Sequence, residues 1–426
     1  MNLTQKSLFR FLSIMVMVST FLPVVFVNLP PVVKSHHIWT TLWLLSILFL
    51  KMDIFTNKLL ASFVGYMIMM FTLIFTLWDY IDVWNKTQIS MELYELIVAF
   101  TVITYYRTER DYEGLAKLVK ISFICIVITS ILSIVTSIIN PTYARDIIGV
   151  DTSYISSENE YILSFQKYGG GGYSLFSAII GLFPILFYLH KNNIRNNMNK
   201  KLLVIIGLIF VTCLISVQIF ANILVAVFTI LICFMGTKNI NKSIFLSLVF
   251  VSIILFIPTS SYVDFLTYLS RIFPVRSELS NKFQDMAMYM TFGDINTGAG
   301  GRAARFPLLL ESFLSNPLTG GENWNGHMYW MNKLAVYGLL GTLPFISILY
   351  MDMKKNIKMF NKEFIFYYLV SIISIIVLGL LKALDGRDLW YVYIVIIPGM
   401  YYYNIMLSNK NIKDRTKTSA NDKYFG

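Results

Sequence analysis

A glycine-rich corner followed by two arginines is the segment of this chain best suited to bind phosphate. Residues Gly298 to Gly301 precede Arg302 and Arg305, which are neighbours on a predicted helix. Glycines let backbone N–H groups turn toward one point, and the start of the helix adds a partial positive charge. Guanidinium groups bind phosphate through paired hydrogen bonds. The competing interpretation is a flexible turn whose arginines reach lipid headgroups.

Three titratable side chains near this corner are candidate proton acceptors. His327 stands at the start of a predicted span, and its imidazole titrates close to neutral pH, as a general base requires. Glu322 and Glu311 are the alternative bases. A histidine that merely sits at the membrane interface is the other interpretation of His327.

Two further groups of charged residues flank predicted outer loops. They are Asp79, Asp82, Glu92 and Glu95 in an early loop, and Lys382, Asp385, Arg387 and Asp388 in the last one. Paired acids can serve as the base of a glycosyltransferase, and the last group can line a shared cavity. We interpret both groups mainly as solvated or interfacial charge.

Apolar runs dominate the rest of the chain. Hydrophobic residues make up 56% of the sequence and charged residues 14%, where soluble proteins carry about 25% charged. Twelve runs are long enough, or nearly so, to cross a bilayer. They are Leu8–Leu29, His37–Leu50, Leu59–Trp78, Met91–Tyr106, Leu118–Ile139, Tyr173–Leu189, Leu202–Ser216, Ile219–Met235, Ile244–Pro258, Tyr329–Tyr350, Phe364–Leu381 and Leu389–Leu407. The pattern predicts an all-α polytopic membrane protein with about 12 transmembrane helices in a single domain, residues 1–426.

The charges fall unevenly between the two sides that twelve spans define. The side that carries the termini holds 23 Lys+Arg and 8 Asp+Glu, and the other side holds 12 and 16. The positive-inside rule therefore predicts cytoplasmic N and C termini. The net charge of +11 is then a signal of topology, and we expect no nucleic-acid partner.

Two outer loops stand out by length. The middle loop covers residues 140–172 and ends in a glycine run, and the large loop covers residues 259–328. Apolar residues at helical spacing predict amphipathic helices in the large loop, near Tyr262–Phe273, Leu279–Phe292 and Arg302–Leu314. Residues 409–426 form a polar, basic cytoplasmic tail. The three cysteines fall inside spans and are predicted to be core or lipid-facing residues.

The order of motifs between Gly300 and Gly341 resembles that of the bacterial O-antigen polymerase/O-antigen ligase superfamily. It consists of Gly-Gly-Arg, an amphipathic helix, Asn-Pro-Leu-Thr-Gly-Gly, a histidine and a helix with Tyr-Gly-Leu-Leu-Gly. The match covers about a tenth of the chain. A similar number of spans, with one dominant late outer loop, extends the resemblance to the whole.

The resemblance implies an enzyme of the bacterial cytoplasmic (inner) membrane whose active site faces the periplasm or exterior. Such enzymes have a GT-C-like bundle and transfer sugars carried on undecaprenyl diphosphate, without a metal, cofactor or nucleotide sugar. The implied partners are lipid-linked oligosaccharide, membrane lipid and other polysaccharide-assembly proteins, such as a chain-length regulator and a flippase. The products would be O-antigen of lipopolysaccharide, capsule or exopolysaccharide.

By position in the motif, Arg302 matches the arginine that opens the late-loop helix, and His327 matches the histidine before the following span. Basic residues of the two outer loops are thought to hold the diphosphate in this family. Here those residues are Arg305, Lys167, Arg145 and Arg276.

Three positions depart from the family pattern. Met328 replaces the asparagine that often follows the histidine, and Gln218 replaces an arginine before the eighth span. Lys167 stands where the middle loop commonly has an arginine. These departures affect the predicted diphosphate contacts more than the resemblance itself.

The predicted function is polymerisation of undecaprenyl-diphosphate-linked repeat units. The alternatives are a ligase that transfers glycan to a lipid A core or protein, and a flippase for lipid-linked oligosaccharide. A flippase is expected to carry charges inside its bundle. Because the spans look nearly free of charge and the late loop is long, the sequence favours an enzyme.

Overall fold

The computed structural model describes residues 3–76, 81, 83–139, 169–192, 199–236, 259–273, 278–292, 300–321, 328–384 and 386–407. Within these ranges all regular secondary structure is helical, which agrees with the predicted all-α fold.

The helices are α1 (Leu3–Phe21), α2 (Pro31–Lys34), α3 (His36–Leu50), α4 (Lys58–Thr76), α5 (Val83–Thr108), α6 (Tyr112–Ile139), α7 (Tyr173–Lys191), α8 (Lys200–Ser216), α9 (Phe220–Met235), α10 (Thr259–Ile272), α11 (Glu278–Phe292), α12 (Gly300–Ser315), α13 (Tyr329–Met359), α14 (Lys362–Leu381) and α15 (Arg387–Tyr391). Short 3₁₀ turns cover Pro23–Phe26 and Met52–Thr56. After α15 a π turn covers Val392–Ile396, and helical backbone continues to residue 407.

Six helices are long and apolar enough to cross a membrane: α4, α5, α6, α7, α13 and α14. The surface is apolar as well, since large side chains such as Phe49 (82%), Ile138 (77%) and Phe234 (72%) are exposed. Such a surface needs lipid around it. The chain is therefore an α-helical membrane protein. Of the twelve predicted runs, Ile244–Pro258 lies outside the described residues, as does the end of Leu59–Trp78. The other runs contain helix, but the first one, Leu8–Leu29, is α-helical only to Phe21.

The bundle has two distinct ends. At one end α1 begins and the helical segment after α15 finishes, and Tyr112 stacks on Tyr402 there with ring centroids 4.7 Å apart. Many lysines of α4, α7, α8, α13 and α14 lie at this end, which we call the basic end. The other end, where α3, α5, α7 and α13 begin, we call the loop end.

Local sequence sets several helix termini at the basic end. The Asn199 side chain accepts a hydrogen bond from the Lys201 N–H (2.9 Å), and Asn361 accepts one from the Phe364 N–H (2.8 Å). Such caps satisfy N–H groups that have no partner in the first turn. Gly236, with φ of 75°, ends α9 in the left-handed region that glycine adopts without strain.

Helices α5 and α7 form the interior of the bundle. Their apolar windows are 83% and 78% buried, compared with 33% for α4, whose other faces meet lipid. Most polar side chains on α5 and α7 therefore face protein. The three cysteines are buried, as predicted.

The large loop is helical where it is described, as its apolar spacing predicts. Helices α10 and α11 pack as a pair through Leu266, Leu279 and Phe283, and Phe283 also contacts Phe220 at the start of α9. Helix α12 packs on α13. These contacts attach the loop helices to the loop end of the bundle.

Candidate functional site

Most of the site residues that the sequence predicts lie outside the described part of the chain. These are His327, Glu322, Lys167, Arg145 and Arg276, and the side chain of Arg302. The backbone of Arg302 belongs to the first turn of α12, Arg305 is half-buried one turn later, and Glu311 is exposed. The roles of these residues stay predictions.

Helix α13 is interrupted at Gly338, whose backbone (φ 57°, ψ −162°) is not helical. In an unbroken helix the Leu339 N–H would bond to the Ala335 carbonyl. Here the segment of residues 316–321, which we call the docking loop, supplies both missing partners. The Leu339 N–H donates to the Pro317 carbonyl (2.8 Å), and the Ala335 carbonyl accepts from the Gly321 N–H (2.9 Å).

Two more hydrogen bonds complete this junction. The Leu340 N–H donates to the Leu318 carbonyl (3.0 Å), and the Thr342 hydroxyl donates to the Lys333 carbonyl (3.0 Å). Each such bond contributes about 1 kcal/mol, and leaving the groups unpaired inside the bundle would cost more. A break in a transmembrane helix is thus stabilised by a loop that the sequence connects to α12.

Glycine is required on both sides of the junction. A Cβ on Gly320 (φ 74°) would collide with the Val336 carbonyl, and a Cβ on Gly338 would collide with the Leu318 carbonyl. The two glycines belong to the two motifs on which the family resemblance depends. The structure brings these motifs into direct backbone contact, which the sequence alone did not predict.

The first segment of α13, before the break, carries a buried ion pair. Lys333, 3% exposed, places its Nζ atom 3.0 Å from Oε2 of Glu92 on α5, and the Tyr329 hydroxyl donates a hydrogen bond to the same carboxylate. The Lys333 ammonium also lies over the rings of Tyr329 (4.6 Å) and Phe345 (4.8 Å). Pairing and aromatic contacts offset the large cost of burying both charges.

A second buried carboxylate lies one turn along α5. Glu95 is within 3.1 Å of the His36 Nε2 atom and accepts a hydrogen bond from the Tyr391 hydroxyl (3.1 Å). Glu92 and Glu95 are three positions apart and share one face of α5. We call the six residues Glu92, Glu95, His36, Tyr329, Lys333 and Tyr391 the polar cluster.

The start of α7, which directly follows the glycine run of the middle loop, lies close to the start of α15. Ser174, near the start of α7, donates a hydrogen bond to Asp388 (2.8 Å), and the Lys382 ammonium lies 3.9 Å from the Tyr173 ring centroid. The Lys382 carbonyl accepts from the Tyr329 N–H at the start of α13 (3.0 Å). The ends of the middle, large and last loops therefore meet at the loop end.

Hydrogen-bonding capacity remains unused beside the polar cluster. Asn332 is 0% exposed, and neither side-chain atom has a hydrogen-bond partner within the described part of the protein. The same holds for the indole N–H of Trp390, whose ring lies 6.1 Å from that of Tyr329. Buried amides are normally satisfied, so we expect these atoms to have a partner outside the described residues: another protein group, water or a polar ligand.

Two expectations from the sequence are wrong. Glu92 and Glu95 were expected to be solvated or interfacial, but both are buried, as are Lys382 and Asp388. The spans also carry more charge than expected, because Glu92 and Glu95 lie inside the run Met91–Tyr106 and Lys333 lies inside the run Tyr329–Tyr350. The overlooked signal was an ionisable residue inside an apolar run, such as Glu92, Glu95 or Lys333, which by itself suggests a functional site.

The polar cluster consists of side-chain types that can bind polar, hydroxyl-rich ligands, and here they are buried and paired with one another. Carboxylates accept hydrogen bonds, lysine supplies positive charge, and tyrosine and tryptophan rings supply apolar walls. A scan against models of known protein families finds no match to the chain, and a search of curated proteins finds none either. Fold and site define a helical membrane protein with a polar cluster and a broken helix at one end.

Proposed function

We propose that this protein polymerises undecaprenyl-diphosphate-linked oligosaccharide repeat units at the outer face of a bacterial cytoplasmic membrane. The observation that carries the proposal is the junction between the docking loop and the break at Gly338. Both halves of the motif that resembles the O-antigen polymerase and ligase superfamily meet there. The backbone contact explains why Asn-Pro-Leu-Thr-Gly-Gly and Tyr-Gly-Leu-Leu-Gly occur together in the sequence. This contact is the main support for the resemblance.

The proposed orientation rests on charge. The basic end carries the excess of Lys and Arg, so it would face the cytoplasm together with both termini. The loop end, with α12 and the polar cluster, would then face the exterior. With the run Ile244–Pro258 as one further span, the chain would cross the membrane twelve times in a GT-C-like bundle.

In the proposed reaction a hydroxyl oxygen of the acceptor repeat unit attacks the anomeric carbon of the donor glycan. The bond from that carbon to the diphosphate oxygen breaks, undecaprenyl diphosphate leaves with the electron pair, and the anomeric carbon inverts. His327 takes the acceptor's proton, with Glu322 and Glu311 as the alternative bases. Arg302, Arg305 and Lys167, with Arg145 and Arg276, stabilise the leaving diphosphate.

The polar cluster would act on this site by positioning it. His327 is separated from Tyr329 by one residue, so the contacts that hold the start of α13 also limit where His327 can lie. Lys333 and Glu92 hold that same segment one turn further on. Asn332, whose amide has no hydrogen-bond partner among the described residues, is the candidate to bind a sugar hydroxyl of the repeat unit.

The experiment is chain-length analysis with purified protein and lipid-linked repeat units. Arg302→Ala should abolish polymer, and Arg302→Lys should restore little, because an ammonium cannot form the paired bonds of a guanidinium. Arg305→Ala should be milder, since Arg302 remains. Wild-type chain lengths in Arg302→Ala would show that the glycine-arginine corner does not hold the substrate.

A flippase for lipid-linked oligosaccharide is the second candidate, and the buried charges favour it more than the sequence suggested. Ionisable groups inside a bundle can line a transport path, and Glu92, Glu95 and Lys333 are such groups. A deletion strain separates the candidates. A strain without the polymerase still displays single repeat units, and a strain without the flippase displays none.

A ligase is the remaining alternative. It acts on the same lipid-linked donor, and no single residue of this chain distinguishes it from a polymerase.

A further inference from the structure

A cavity lined by lysines lies at the basic end, far from the polar cluster. It measures about 510 Å³ and opens between the start of α4 and the last turns of α13. Its lining residues are Asn57, Lys58, Leu59, Met351, Lys354, Lys355 and Lys358. We call this site the lysine cavity.

The lysine cavity has an excess of positive charge. Among the described residues none of Lys58, Lys354, Lys355 and Lys358 forms an ion pair. The nearest acid along α13, Asp352, is paired with Arg107 and hydrogen-bonded by Asn356, and it attracts Lys355 only from beyond ion-pair distance. Four ammonium groups around one cavity repel each other unless an anion lies between them.

The start of α4 adds to this charge. Asn57 accepts a hydrogen bond from the Leu59 N–H (3.2 Å), which fixes the first turn of a 19-residue helix at the rim of the cavity. The partial positive charge of that helix end therefore points toward the same space as the lysines. An anion bound here would contact α4 and α13 together.

An apolar strip continues from the lysines along the outer face of α13. Leu343 (52% exposed), Ile346 and Tyr350 follow one another at helical spacing and lead to Lys354. A free phosphate ion would make no contact with this apolar strip, whereas the acyl chain of a lipid would cover it. The lysine cavity and the apolar strip adjoin each other in the same way as the charged headgroup and the acyl chain of a phospholipid.

We propose that the lysine cavity binds the phosphate headgroup of an acidic phospholipid whose acyl chain lies along Leu343, Ile346 and Tyr350. This site is separate from the proposed transferase reaction and does not depend on it. The lipid stabilises the contact between α4 and α13 at the basic end, where basic pockets between helices recognise anionic lipids.

The test is native mass spectrometry of the purified protein with added phosphatidylglycerol, cardiolipin or phosphatidylcholine. The variant is Lys354→Gln/Lys355→Gln/Lys358→Gln. The matched control is Lys200→Gln/Lys201→Gln/Lys362→Gln, which removes three lysines of the same end outside the cavity. We expect the acidic lipids to form a one-to-one adduct with wild type and control, and to bind roughly a hundredfold more weakly to the cavity variant.

Thermal unfolding in detergent gives a second measurement. Acidic lipid should raise the unfolding temperature of wild type and control but not that of the cavity variant, and millimolar inorganic phosphate should have little effect on any of them. Equal adducts in cavity variant and control would overturn the proposal. Stabilisation by inorganic phosphate as large as that by lipid would also overturn it, because the site would then recognise phosphate alone.

Discussion

A Cβ atom on residue 338 would collide with the Leu318 carbonyl oxygen, and Gly338 has a positive φ that glycine adopts without strain. Gly338→Ala should therefore push the docking loop off α13 and expose the unpaired groups at the break. We expect a loss of about 2 kcal/mol or more in the free energy of unfolding, and loss of polymer. The unfolding temperature of detergent-solubilised protein measures the first effect.

The matched controls are Gly65→Ala in α4 and Gly207→Ala in α8. Nothing lies within 4 Å of a Cβ at either position, and both glycines have helical backbone. These changes should be neutral or stabilise by about 0.5–1 kcal/mol. A Gly338→Ala protein as stable as Gly207→Ala would show that the docking loop does not pack as described.

The Glu92–Lys333 pair predicts strong coupling between α5 and α13. Glu92→Gln or Lys333→Met alone leaves one buried group without its partner, which costs about 3–5 kcal/mol. The double variant should lose about 0.5–3 kcal/mol less of the free energy of unfolding than the two single variants lose together. The exposed pair Glu113–Lys117 in α6 is the control and should give a coupling below about 1 kcal/mol. Additive losses at Glu92 and Lys333 would contradict the buried pair.

Asp111, in the turn between α5 and α6, predicts acid sensitivity at the basic end. Burial alone would raise the pKa of Asp111. The hydrogen bonds from the Arg10 guanidinium and the Gly114 N–H outweigh this effect, and the pKa lies below its ordinary value. Because the pKa of this carboxyl is lower in the folded than in the unfolded state, its ionisation stabilises the folded protein. This stabilisation is complete above the pKa of the unfolded state, about 3.9, and is lost as the pH falls through the pKa of the folded state.

Asp111→Asn should therefore lower the unfolding temperature at pH 7, and its curve should approach that of wild type below about pH 4. Asp53→Asn, at an exposed acid of the same end, should have no such effect. A constant difference between Asp111→Asn and wild type from pH 7 to pH 3 would mean that charge pairing is not what Asp111 contributes.

The proposed orientation predicts which introduced cysteines a membrane-impermeant thiol reagent reaches in intact cells. The native cysteines are buried, so the label reports the introduced residue. Asn281→Cys in α11 should be labelled, and Asn196→Cys, in the short basic connection before α8, should be protected. Labelling of Asn196→Cys together with protection of Asn281→Cys would invert the topology and move the polar cluster to the cytoplasmic side.

Local patterns predicted much of the fold. The length of the apolar runs predicted the six helices that are long and apolar enough to cross a membrane, and helical spacing predicted α10, α11 and α12. Both signals depend on neighbouring residues. The break at Gly338 was not predicted, because the sequence Tyr-Gly-Leu-Leu-Gly within an apolar run is typical of an ordinary helix. The break depends on hydrogen bonds from the docking loop, which is distant in sequence. The Glu92–Lys333 pair joins residues 241 positions apart. A single sequence does not show which of its isolated charges will be partners.

His327 carries the most specific prediction about the proposed reaction. An imidazole has an ordinary pKa of about 6.5, so near neutral pH a good fraction of it can accept a proton. General base catalysis contributes roughly 10² to 10⁴ in rate, and His327→Ala should lower turnover by that factor while the lipid-linked donor still binds. His327→Gln keeps hydrogen bonding but cannot act as a base, so it should be nearly as inactive. If His327→Gln retains much of the activity of the purified protein, histidine only positions the acceptor. The base would then be a carboxylate, and Glu322→Gln and Glu311→Gln would identify which one.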